Sequence, residues 1–116
     1  MIIYHAWCNL RSDARDMEFT KAAGEYFAYL RDKGLIEGYR ITRRQLGLGP
    51  PGLPEFHLMV EVGSLSQLDE LFTHVSSRAD TVEKLHHGVN SRVKDAIFAL
   101  YRDFPDAHRV SGKELF

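Results

Sequence analysis

A chain of 116 residues, 44% hydrophobic and 27% charged, has the composition of one globular domain with room for a single core. Its net charge of -1 gives no pull toward nucleic acid or an anionic membrane surface. The single cysteine, Cys8, excludes an intrachain disulfide and suits a reducing cytoplasm, and no apolar run is long enough to span a bilayer.

Residues 2–10, IIYHAWCNL, are β-prone, hold no Gly or Pro and predict a strand. With no basic flank ahead of the apolar residues, the same stretch makes a poor leader peptide. The period then changes. Phe19, Ala23, Tyr26 and Leu30 recur at helical spacing, so RSDARDMEFTKAAGEYFAYLRDKG predicts a helix. Ser12 or Asp13 is its expected cap, Asp16 and Glu18 suit the positive end of the dipole, and Gly34 is the expected stop. LIEGYRITRRQL, 35–46, predicts a second strand, with Tyr39 and Ile41 on one face and Arg40, Thr42 and Arg44 on the other. GLGPPGLP, 47–54, is a loop, and its prolines remove the backbone donors a phosphate loop needs.

In EFHLMVEV, 55–62, alternation makes Phe56, Leu58, Val60 and Val62 a core face. Glu55, His57, Met59 and Glu61 form a mixed face opposite. Ser64 caps a second helix with Leu68, Leu71, Phe72 and Val75 on one side. TVEKLHHGVN adds a short helical turn with Val82, Leu85 and Val89 inward. KDAIFALYRDF, 94–104, predicts the last strand. Residues 105–116 form a tail beyond the domain of residues 1–104, and its Leu115 and Phe116 are expected to dock on a partner subunit or on the second helix.

The order strand, helix, strand, strand, helix, strand predicts an α+β, ferredoxin-like fold. Right-handed crossovers put both helices on one face of a four-stranded antiparallel sheet, with strands one and three central. Tyr4, Ala6, Cys8 and Leu10 are assigned to the helix side, the small Ala6 and Cys8 for close packing. Ile3, His5, Trp7 and Asn9 then join His57, Met59 and Glu61 on the uncovered face, which is too apolar to meet water alone. An RNA-recognition module would need spaced aromatics and a basic residue on the third strand. EFHLMVEV has one aromatic, on the other face, and two acids. A second copy of the same face is the expected cover.

In this strand order and this mixed face, over about residues 2–104, the chain resembles the dimeric α/β-barrel superfamily. That group includes stress-responsive α/β-barrel proteins, the small cofactor-independent monooxygenases of antibiotic biosynthesis and short bacterial proteins of unknown function. The resemblance implies a homodimer with two sheets face to face around a two-fold axis. It also implies a pocket for a small organic molecule, between sheet and helices or at the barrel end, with no cofactor. It implies no particular reaction.

If the mixed face is a site, His57 or His5 is its base and Glu61 the orienter, with His5, His57 and Arg44 the nearest partners for that carboxylate. Asn9 would donate to the substrate, Trp7 would be the apolar wall, and Met59 lies among them. Heme-degrading and quinol-oxidising members of the superfamily use an Asn on the first strand, a Trp, and a His on the second helix. Asn9 and His74 match by element; Trp7 departs, because it shares a strand with Asn9. His86 and His87 are neighbours on a helix, so they point about 100° apart and chelate poorly. With no HxxxH or CxxC spacing, no metal is expected. Arg40, Arg43 and Arg44 suit a pocket mouth or a solvated strand edge, and Cys8 reads as a small buried hydrophobe. A catalytic site should show a cavity reaching His57. An interface should show those side chains packed and mutually bonded.

Overall fold

The computed structural model describes residues 1–113. Four strands, β1 (Ile2–Leu10), β2 (Gly38–Arg43), β3 (Phe56–Val62) and β4 (Val93–Arg102), form one antiparallel sheet in the order β2-β3-β1-β4. The helix α1 (Asp16–Asp32) joins β1 to β2; α2 (Leu65–Ser76) and α3 (Asp80–Asn90) lie between β3 and β4. This is the expected ferredoxin-like arrangement, with β1 and β3 central.

The register of β1 against β3 sets Ala6 opposite Leu58 and Cys8 opposite Phe56, so even-numbered residues of both strands face the helices. Phe56, Leu58, Val60 and Val62 are buried there against Phe19, Ala23, Phe27 and Leu30 of α1 and Leu68 and Leu71 of α2. Burying each large side chain of this kind contributes roughly 1.5–3 kcal/mol before entropy is counted.

The helix ends divide the expectations. Ser64 caps α2 as predicted, its Oγ accepting from the Gln67 N–H at 3.1 Å. Gly34 follows α1 at φ 74°, the left-handed geometry that ends a helix at little cost to glycine. Neither Ser12 nor Asp13 caps α1. The cap position is Arg15, which makes no side-chain cap bond, and Asp16 and Glu18 in the first turn face the positive end instead. The second strand is shorter than predicted, because Leu35 and Ile36 run ahead of it and Ile36 is buried.

TVEKLHHGVN is more than the short turn expected: α3 is an 11-residue helix packed on α1, with Val82 and Val89 buried. The edge strand β4 is bare even on its helix side, where Phe98 is 61% exposed. Beyond β4, Arg102 pairs with Asp106, and the N-terminal ammonium pairs with Asp103. The docking expected of Leu115 and Phe116 lies outside the described residues. Among the described residues no helix is long and apolar enough to cross a membrane.

Candidate functional site

Odd-numbered residues of β1 and β3 point away from the helices, and there Trp7 pairs with His57 and His5 with Met59. His5 Nδ1 and His57 Nε2 lie 2.8 Å apart, so one ring donates, the other accepts, and at least one is neutral. Trp7 stacks on His57 with centroids 4.4 Å apart and on His5 at 5.3 Å. Tyr101 of β4 closes the group edge-on to His5 at 4.9 Å. Loss of water lowers the pKa of both histidines, and the charge of His5 lowers that of His57 further.

Glu61 stands apart from that group. It lies opposite Ile3 and Gly38, with its carboxylate over Gly38, where an added Cβ would come 3.5 Å from Oε2. Four strand residues separate it from His57, about 13 Å at the usual rise, so it is too far to orient that ring. Arg44 is turned to the loop that follows it, donating to the carbonyls of Leu53 and Pro54 rather than to Glu61. Asn9 ties the sheet end together: its Oδ1 accepts from the Glu55 N–H and its Nδ2 donates to Asp95, both at 3.0 Å. His74 bonds the Tyr29 hydroxyl at 2.9 Å between α2 and α1, on the helix side. Of the predicted residues, then, His5, Trp7, His57 and Met59 come together; Asn9, Glu61, Arg44 and His74 do not join them. Cys8 is buried, and burial followed by the nearby Asp95 charge pushes its thiol up to about 11. Among the described residues no three His, Cys, Asp or Glu side chains converge as metal ligands would.

A cavity lies on the other face. Between sheet and helices lies a space of about 230 Å³, and among the described residues no Asp, Glu, Lys or Arg lines it. Ala6, expected to pack closely, instead leaves room there. Its polar groups include the Tyr4 and Tyr26 hydroxyls, His86 and Asn90. Burial, then the neighbouring Tyr4, pushes the Tyr26 hydroxyl up to about 12, so it remains a donor at neutral pH. The His86 ring sits 5.6 Å from that of Tyr26. Tyr4 is flanked by Phe72, edge-on at 5.3 Å, and Phe98, stacked at 5.8 Å, two exposed rings at the cavity rim. The family resemblance implied a pocket between sheet and helices, but reading the residues did not find its lining. Its one signal was His86 sharing the inward side of α3 with Val82 and Val89.

Over residues 1–116 the sequence matches a family of unknown function (DUF6614). No curated protein matches it. Among solved structures, a protein of Arabidopsis thaliana superposes with a TM-score of 0.72 at 5% identity, over 92% of this chain and 99% of that one. An antibiotic biosynthesis monooxygenase gives 0.63 at 19% identity, over 90% and 100%. A dimeric protein of unknown function and ferredoxin-like fold from Bacteroides fragilis gives 0.57 at 12% identity, over 88% and 95%. At these identities the likeness is one of fold, which many chemistries share.

Proposed function

We propose that this chain, which belongs to the DUF6614 family of unknown function, acts as a homodimer that binds a small uncharged aromatic molecule between its sheet and helices. The carrying observation is the cavity: about 230 Å³, ringed by aromatic side chains and free of charged ones. A dry engineered cavity of about 150 Å³ holds benzene, so this volume suits a ligand of one or two rings. A charged ligand would lose its hydration with no counter-charge to meet it. The test is a fluorescence titration with prodan, an uncharged two-ring naphthalene probe whose emission responds to apolar sites. Saturable binding at one probe per chain is expected, and no saturation would end the reading.

The dimer is supported by Ile3, Trp7, Met59, Ile97 and Tyr101, which share the face away from the helices. Four strands of six to ten residues span about 19 Å across and roughly 20–33 Å along, and side-chain relief brings that face toward the roughly 800 Å² per partner of a standard interface. The mutual bonding and stacking of His5, His57 and Trp7 fit packed interface groups, since the cavity opens on the opposite side. A free, buried Cys8 fits a reducing compartment, and we place the protein in the cytoplasm.

Cofactor-independent monooxygenase or isomerase activity is the second reading. His86 and the Tyr26 hydroxyl favour it, as a base and a protonated donor in one apolar site. His86, rather than His57, would then take the substrate proton. Oxygen uptake with a dihydroxynaphthalene, above its rate of autoxidation and lost in His86→Gln, checks this; uptake no faster than autoxidation counts against it.

A further inference from the structure

We propose that the hydrogen-bonded pair of His5 and His57 makes association of two copies proton-dependent, the dimer forming when the pair is neutral and loosening when it takes up protons. The proposal rests on the homodimer reading above. The two ring nitrogens are 2.8 Å apart and share one proton between them. One added proton per ring leaves two donors facing each other and no acceptor. In the isolated chain both rings are half-buried and water can relieve that clash. Under a second sheet it cannot, and a two-fold axis brings a second pair of rings into the same layer.

The surrounding charges do not reverse this. From β2, Arg40 lies opposite Met59, diagonal to His57, and adds positive charge. Arg44 is held by loop carbonyls. On β3, Glu61 is four residues past His57, and Glu55, two residues before His57, is paired with Arg43. On β4, Asp95 is bound to Asn9 at the sheet end, and Tyr101 meets His5 with its ring. Among the described residues no carboxylate pairs with either imidazole. The Trp7 face attracts an imidazolium by its π-electrons, but it does so in monomer and dimer alike, so it leaves the sign unchanged. Burial already lowers both pKa values in the single chain, which is the direction that further covering extends. Histidine is the side chain whose ordinary charge change falls between about pH 5 and 8. The sheet face carries no histidine besides His5 and His57, since His74, His86 and His87 sit on helices and His108 beyond β4.

Sedimentation of the full chain over a concentration series, at about pH 7.5 and about pH 5.5, tests this. The dimer Kd is expected to rise roughly tenfold or more at the lower pH. The double variant His5→Gln, His57→Gln keeps amide donors and acceptors without titration, and its Kd should be the same at both. If those amides weaken the dimer outright, His5→Phe combined with His57→Phe decides: it keeps aromatic rings in the stack and leaves no imidazole on this face, so its pH dependence should flatten. A monomer at pH 7.5 removes the homodimer reading itself. A dimer of equal Kd at both pH values leaves that reading standing and overturns the proton dependence. So does a pH dependence that survives in the variants, or a circular dichroism spectrum showing the wild-type chain unfolded at pH 5.5.

Discussion

Tyr26 and Cys8 are held neutral by burial on the helix side, and each makes a measurable statement. The Tyr26 hydroxyl is pushed up to about 12, against about 10 in an unfolded chain. As pH rises past 10 the unfolded chain gives up this proton first. The stability tied to Tyr26 is thus fully present below about pH 10 and is lost toward pH 12. Urea unfolding at about pH 9 and pH 11 should show wild type losing about 1–2 kcal/mol more than Tyr26→Phe, and equal losses would place that hydroxyl in water. Cys8, with its thiol near 11, should react with iodoacetamide at about pH 8 only as fast as the chain opens. A native rate near that of free cysteine contradicts its burial. At this scale sequence reading was strongest where backbone geometry decides. Strand parity alone put His5, Trp7 and His57 on one face. It failed for Glu61, although the same geometry carried the answer, since residues four apart on a strand share a face without touching. Asn9 lies where parity put it and Arg44 falls just past the end of β2, but a neighbouring Asp95 and loop carbonyls claimed their polar atoms, and those partners are tertiary.

Among the elements, α2 was legible because Ser64 and the leucine stripe agree. Ser64→Ala should cost about 1 kcal/mol, read as a lower melting temperature; no shift would mean Gln67 finds another partner. The helix α3 was harder to see. It begins after Ala79 with no side-chain cap bond, and its Thr81 and Val82 are β-branched, so local propensity argues for little more than a turn. What stabilises it is packing: Val82 is fully buried, and α3 lies along α1. Most helical stability in a folded chain has this origin. Val82→Ala should therefore cost about 2 kcal/mol, from two lost methyl groups and the space they leave. A cost near zero would show α3 to be loosely held.

In the whole molecule one sheet separates two surfaces. The strand β1 contributes Tyr4, Ala6 and Cys8 to the cavity and Ile3, His5 and Trp7 to the opposite face. The order and parity of the strands were readable, because hydrophobic alternation encodes them. The cavity was not, because alternation reports which side a residue faces and not how far away the facing helix stands. Ala6 carries both lessons: its side was predicted and its packing was not. The same separation means that ligand binding and association can be broken independently. Ala6→Leu adds three heavy atoms to the cavity wall, where there is space to receive them, so the fold should tolerate it while the probe loses its site. Ile97, opposite Trp7 on β4, is exposed in the single chain. Ile97→Glu therefore costs the monomer little but, in the proposed homodimer, places a carboxylate under the second sheet, where desolvation opposes association. Ala6→Leu should weaken prodan binding roughly tenfold or more with the dimer intact. Ile97→Glu should sediment as a monomer and hold the probe within about threefold of wild type. If Ile97→Glu loses the probe as well, the partner closes the cavity past Phe98 and the two surfaces are one site. If it remains a dimer, the subunits meet somewhere other than the histidine face.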